Sequence, residues 1–154
     1  MTMIGYDPFL PKDVADSLGV RLTTLEEVIR TSDFMTIHTP LLPETRNMIS
    51  IEQFKMMKPN ARLANVARGG IVNEDDLYTA LKEKIIAGAA FDVWCHEPLE
   101  DSEKKLLELD NLVTTPHLGA STVEAQERVA IEVAEHAVMY LKDGIVSNAI
   151  NAPR

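Results

Sequence analysis

The stretch Arg62-Leu63-Ala64-Asn65-Val66-Ala67-Arg68-Gly69-Gly70, with Asn73-Glu74-Asp75-Asp76-Leu77 close behind it, decides how this chain is read. Arg62-Leu63-Ala64 is a short run that reads as the end of a strand, and Asn73 reads as the cap of a helix. An arginine and two glycines therefore stand at a strand-to-helix corner. Open α/β sheets hold their ligands there, outside the carboxyl ends of the strands. Glycine lets a backbone come close to a ligand, and a guanidinium offers a planar fork for a carboxylate or phosphate. The same residues also fit a surface arginine on a glycine turn, so the rest of the chain has to decide.

Upstream, residues 1–6 are a short apolar strand that Asp7-Pro8 stops, leaving an acid at its carboxyl end. Residues 12–18 read as a helix with Gly19 as a left-handed cap. Thr24 and Glu27 form a capping box for a second helix. Phe34–Ile37 is a strand followed by the loop His38-Thr39-Pro40. Ser50 and Gln53 open another helix that Pro59 closes. Downstream, Leu77 and Leu81 share one face of the helix capped by Asn73. Residues 85–93 are apolar enough for a strand buried on both faces. A short helix over 101–109, a strand over 112–115 and a long helix capped by Ser121 and Glu124 complete the pattern. That last helix carries Val129, Val133, Ala137 and Leu141 on one stripe and has Gly144 at its end. Strands and helices alternate throughout, which predicts an α/β fold with a doubly wound parallel sheet.

Composition narrows the function. The 154 residues suit one domain with a sizeable core. A net charge of −9 with no basic cluster argues against nucleic acid and anionic membrane as partners. No apolar run reaches the length of a membrane span. The single cysteine, Cys95, excludes an internal disulfide framework and fits a reducing cytoplasm.

Asp7, His38, Arg68 and His117 each follow a predicted strand, and Asp92 and Glu97 flank the end of another. In a parallel sheet such ends point the same way, so residues far apart in sequence converge. An acid after a strand of a dinucleotide-binding unit bonds ribose hydroxyls; Asp7 has that setting, and its charge would repel the extra phosphate of NADP. A histidine titrates near neutrality and so suits general acid/base work, which His117 could perform. A carboxylate bonded to such a histidine sets its tautomer, and Glu97 is the candidate.

Three motifs in order carry a resemblance. They are Asn65-Val66-Ala67-Arg68-Gly69-Gly70, Phe91-Asp92-Val93-Trp94-Cys95-His96-Glu97-Pro98, and Thr115-Pro116-His117-Leu118-Gly119-Ala120-Ser121-Thr122. Together they resemble the D-isomer-specific 2-hydroxyacid dehydrogenases. The likeness is greatest to the members that oxidise D-3-phosphoglycerate in serine biosynthesis. Glu124-Ala125-Gln126, Ile4-Gly5-Tyr6-Asp7-Pro8 and Asn148-Ala149-Ile150-Asn151 add to it. The resemblance implies a Rossmann-like NAD-binding domain, a 2-hydroxy or 2-keto acid substrate, a homo-oligomer and no metal. Arg68 would bind the substrate carboxylate, His117 would exchange the hydroxyl proton, and Glu97 would hold His117. Asp7, Thr39, Pro40, Val66, Ala67, Arg68, Asp92, His117 and Gly119 would line the cofactor groove. Two other readings share these motifs: a glyoxylate/hydroxypyruvate reductase, and a non-catalytic NAD-sensing module like the corepressors of the family. Cys95 and His96 read as having no catalytic or metal role, His38 as shaping the cofactor loop, and His136 as a structural or interface residue.

No Gly-x-Gly-x-x-Gly loop occurs in the chain, although this fold seats a pyrophosphate with one. The resemblance sets Met1 at the start of the family's second strand. The expectation is therefore a partial NAD-binding domain over residues 1–154, with the first strand, glycine-rich loop, first helix, substrate domain and regulatory regions outside it. A gap or a non-standard neighbour is expected in the sheet between residues 1–6 and Arg62–Asn65. The chain alone should bind NAD weakly and turn over poorly; titration calorimetry giving micromolar affinity would contradict this.

Overall fold

The computed structural model describes residues 1–149. Ile150 and Asn151, the end of the Asn148-Ala149-Ile150-Asn151 signature, lie outside the described residues. The chain divides into a unit over Met1–Pro116 and a second unit that begins at His117.

The first unit contains strands β1 (Met3–Gly5), β2 (Val20–Leu22), β3 (Phe34–Ile37), β4 (Arg62–Asn65), β5 (Gly88–Phe91) and β6 (Leu112–Thr114). Its helices are α1 (Lys12–Ser17), α2 (Leu25–Thr31), α3 (Ile51–Met56) and α4 (Glu74–Lys82), with a 3-10 turn at Lys104–Glu108. Every strand pair is parallel, as crossover helices between successive strands require. The strands form two sheets, β1-β2 and β3-β4-β5-β6.

The discontinuity does not lie beside Arg62–Asn65, where a gap is expected from sequence. β4 has β3 on one side and β5 on the other, and the break separates the β1-β2 sheet from the β3-β4-β5-β6 sheet. The displacement has a simple source: β2 does not stand out in the sequence. Three residues between two helix signals are too few to show an alternating pattern, and β2 exists because it pairs with β1, Met3 opposite Val20. Two further elements are shorter than their sequence patterns. Residues 85–93 yield only Gly88–Phe91, and residues 101–109 yield a 3-10 turn rather than an α-helix.

Helix starts follow local chemistry closely. Asn73 accepts the Asp76 N–H at 3.0 Å, and Ser50 with Gln53 forms a reciprocal capping box. Thr24 accepts the Glu27 N–H at 3.2 Å, but the Glu27 side chain turns instead to Arg21 and Thr23. Burial alternates along β3 and β4, with Met35, Ile37, Leu63 and Asn65 buried and Phe34 and Arg62 exposed. The buried face meets Phe54 of α3 and Leu77 and Leu81 of α4 in one core. Phe54 is fully buried, so Phe54→Ala should cost about 3–5 kcal/mol through lost transfer energy and an unfilled cavity. Urea unfolding checks this; a loss under about 1 kcal/mol would mean that the site collapses around the smaller side chain.

In the second unit α5 runs over Val123–Asp143. Its cap is Thr122, one residue beyond the expected Ser121, and it accepts the Ala125 N–H at 3.1 Å. Gly144 ends the helix at φ 67°, in the left-handed region where glycine carries no Cβ penalty. No residue of α5 is buried.

Candidate functional site

Parallel pairing sets Ile37, Asn65 and Phe91 side by side, with Thr114 beside Phe91. The residues that follow these four strands therefore emerge along one edge of the sheet. They are His38-Thr39-Pro40, Val66-Ala67-Arg68, Asp92 with the turn behind it, and Thr115.

Asn65 organises the Arg68 turn. It is a buried polar side chain, 1% exposed, and both ends of its amide are used. Nδ2 donates to the Arg68 carbonyl at 3.0 Å, and Oδ1 accepts the Ala67 N–H at 3.2 Å. The backbone from 65 to 68 is thereby folded into a tight turn that leaves Val66 and Arg68 exposed. Arg68 donates from Nη1 to the Ala67 carbonyl at 2.7 Å. Gly70 sits at φ 79°, and its carbonyl accepts the Asn47 N–H at 2.8 Å, tying this corner to the loop before α3. Gly69 serves the chain's own packing, rather than the close ligand approach read from the sequence. A Cβ there would lie 1.9 Å from the Trp94 carbonyl oxygen.

The turn after β5 is thus seated directly on the Arg68 turn. Asp92, near the end of β5, is largely buried. Its N–H donates to the Asn65 carbonyl at 3.1 Å, and its carboxylate accepts the Thr115 hydroxyl. The Phe91 and Trp94 rings pack at 5.4 Å between centroids. Glu97 is exposed and its Oε1 accepts the Trp94 N–H at 2.9 Å, closing the turn. The structure therefore brings Val66, Ala67, Arg68, Asp92 and Glu97 together on two interlocked turns.

Asp7 stands on the smaller sheet, after β1. Its Oδ1 accepts the Phe9 and Leu10 N–H groups at 2.8 and 3.1 Å, so part of its capacity holds an Asp-Pro turn. Thr39 follows β3, with its hydroxyl oxygen buried and without a hydrogen-bond partner among the described residues. A buried hydroxyl in that state suits a ligand group placed against it, which fits a groove for a polar cofactor. Pro40 beside it is exposed, and His38 bonds Thr36 at 2.9 Å. His117 and Gly119 belong to the second unit. His117 adopts φ 55°, a left-handed backbone that non-glycine residues take up sparingly and that clusters at functional positions. A hollow of about 520 Å³ on the sheet face, lined by Phe34, Arg62, Ala90 and Val113 among others, contains none of these residues.

Cys95 and His96 lie in the turn between Asp92 and Glu97. Burial, with Glu74 beside it, pushes the Cys95 thiol up to about 11, so it stays protonated at neutral pH and is a poor nucleophile. His96 Nδ1 lies 2.6 Å from Glu103 Oε1. That bond, aided by the charges of Glu100 and Glu103, raises the His96 pKa above 6.5. Burial pushes Glu103 up, but the His96 bond and the Glu100 N–H outweigh it and hold its carboxyl below 4.5. The raised histidine stabilises the fold fully below about pH 6.5, and this is lost as pH rises through its folded value. The lowered glutamate contributes above about pH 4.5, and this is lost in acid. His96→Asn should therefore destabilise the protein most between those values and approach wild type at about pH 9. Urea midpoints at about pH 5.5 and 9 test it; an equal loss at both would show that the pair contributes nothing through charge.

Sequence reading missed two residues of this site. Asn65 is quoted within a motif but has no evident task until its burial is known. Glu74 reads as one acid among three at a helix start. The only signal available was an asparagine where a buried strand residue belongs, since buried polar side chains are kept for their bonds.

A family model of the D-isomer specific 2-hydroxyacid dehydrogenase, NAD binding domain, matches residues 1–119. The chain is 48% identical over 153 residues to D-3-phosphoglycerate dehydrogenase 2, chloroplastic, of Arabidopsis thaliana, covering 99% of this chain and 24% of that protein. It is 47% identical over 154 residues to the D-3-phosphoglycerate dehydrogenase of Methanocaldococcus jannaschii, covering 99% and 29%. Among solved structures it is similar to an NAD complex of a D-isomer specific 2-hydroxyacid dehydrogenase from Lactobacillus delbrueckii ssp. bulgaricus. That match has a TM-score of 0.81 and 32% identity, and covers 97% of this chain and 48% of the other. The chain thus spans about a quarter of the length of these curated relatives and half that of the solved chain.

Proposed function

We propose, from the premise that this chain belongs to the D-isomer specific 2-hydroxyacid dehydrogenase family, that it is the cofactor-domain portion of an enzyme oxidising D-3-phosphoglycerate to 3-phosphohydroxypyruvate. The domain that the family model describes binds NAD, and no helix among the described residues is long and apolar enough to cross a membrane. We place the enzyme in the cytoplasm, with a homo-oligomeric assembly and the substrate domain in sequence beyond these residues.

One observation supports the site most directly: the Arg68 turn and the Glu97 turn interlock with no space between Gly69 and the Trp94 carbonyl. Backbone packing of this kind fixes the two turns relative to each other, and orientation of a small acid requires such a support. In this reading Arg68 pairs its guanidinium with the substrate carboxylate. The His117 imidazole takes the proton from the 2-hydroxyl during oxidation and returns it during reduction. Glu97 is the carboxylate assigned to the same reaction. Asp7 and Thr39 offer acceptor and hydroxyl groups to the cofactor, and Pro40, Val66, Ala67, Asp92 and Gly119 complete its groove. Bound NAD supplies the hydride chemistry. The phosphorylated substrate is supported by the relatives named D-3-phosphoglycerate dehydrogenase, which match across 99% of this chain.

The test is a chimera in which these residues replace the matched segment of the Methanocaldococcus jannaschii enzyme. NAD reduction dependent on D-3-phosphoglycerate is the expected result. A folded chimera that binds NAD yet transfers no hydride would defeat the reading.

A further inference from the structure

The first turn of α4 carries three successive acids, and each reaches a different segment. Asp76 Oδ2 accepts the Ile51 N–H at 2.9 Å, and Asp75 pairs with Lys105 at 2.7 Å. Glu74 Oε1 accepts the Cys95 N–H at 2.7 Å. Capping does not need Glu74, because Asn73 already caps the helix. Its placement is also unfavourable in isolation: Oε2 is buried with no hydrogen-bond partner among the described residues, and burial raises the carboxyl's pKa above 4.5. An acid kept half-buried with one oxygen unmatched is accounted for by what the other oxygen holds.

What it holds is the turn that carries Glu97. Cys95 N–H is the point at which the 94–98 turn is attached to α4. The preceding Trp94 carbonyl is pressed against Gly69, and the Trp94 N–H is bonded to Glu97 itself. Three consecutive backbone groups are thus tied to α4, to the Arg68 turn and to the Glu97 carboxylate. His96 and Glu103 anchor the same turn from its outer side. We propose that Glu74 is a positioning residue, clamping the turn that bears Glu97 onto the turn that bears Arg68 through its bond to the Cys95 amide. This deepens the function proposed above, since the clamp fixes the separation of two groups assigned to the same reaction. Its physical content is independent of catalysis.

The experiment needs no substrate. On the 154-residue chain, NMR follows hydrogen exchange at the Cys95 amide, and the Trp94 amide shift as Glu97 titrates. Glu74→Ala removes the acceptor, Glu74→Asp withdraws it by one methylene, and Glu74→Gln keeps an acceptor without the charge. Expected are Cys95 exchange at least tenfold faster and a Trp94 titration amplitude reduced by half or more in E74A and E74D. E74Q should match wild type in both readouts. Asp75→Ala, which removes an acid one residue away, should also match wild type. E74A and E74D proteins that lose thermal stability while keeping the Trp94 titration would overturn the proposal, because Glu74 would then be structural only. Wild-type Cys95 exchange in E74D would overturn it as well, and that arm stands even if E74A does not fold. A catalytically silent chimera defeats the reading of function instead, and leaves these amide signals as they are.

Discussion

Gly69→Ala should destabilise the protein and dislodge the Arg68 turn in a single substitution. The added Cβ would stand 1.9 Å from the Trp94 carbonyl oxygen, 2.1 Å from its carbon and 2.6 Å from the Cys95 nitrogen. All three are backbone atoms of a turn held elsewhere by Glu74 and Glu97, so no side-chain rotation relieves the overlap. Forcing extra volume into a packed site costs about 1–3 kcal/mol, and more where backbone must move. For a domain of this size, 1 kcal/mol corresponds to roughly 2–4 °C in melting temperature, so a fall on the order of 5–10 °C is expected. Gly5→Ala is the control, since its nearest neighbour is the Val20 side chain at 3.2 Å. In the chimera, Gly69→Ala should also lower kcat/KM at least tenfold, because both turns shift together. A variant with wild-type melting temperature and activity would show that the two turns yield to each other freely.

His117→Gln should lower kcat/KM of the chimera by roughly 10²–10⁴, the usual contribution of a positioned acid/base. Glutamine retains hydrogen-bonding capacity but cannot exchange a proton near neutrality. The loss should appear chiefly in kcat, because a group acting only in the transition state affects turnover rather than binding. The left-handed backbone at His117, φ 55°, makes asparagine a useful second variant, since asparagine tolerates that region. Activity within tenfold of wild type in both variants would remove His117 from the catalytic role.

Much of the architecture was legible because its signals are local. Asn73, Ser50 and Gln53 cap helices through bonds to residues within three positions, and Gly19 and Gly144 end them through φ values of 72° and 67°. Such chemistry acts within a turn of chain, so the residue types suffice to reveal it. Arg62–Asn65 and Phe34–Ile37 likewise follow from short apolar runs between helix signals. The shared position of Thr39, Arg68 and Asp92 was legible for a related reason: residues just past neighbouring parallel strands emerge along one edge of the sheet.

What only the tertiary structure decided depends on distant partners. β2 exists through pairing with β1 across an intervening helix. The division into a β1-β2 sheet and a β3-β4-β5-β6 sheet is a property of the pairing pattern, which no window of sequence contains. Gly69 looks like a turn glycine until the Trp94 carbonyl, 25 positions on, occupies the place of its side chain. Asn65 and Glu74 have ordinary polar side chains whose tasks appear only when burial and partners are known. Arg68 itself was visible from the start as the charged residue of a strand-to-helix corner. The packing of its turn against the turn that carries Glu97 was not, because close packing between two turns is decided by atoms that the sequence holds far apart.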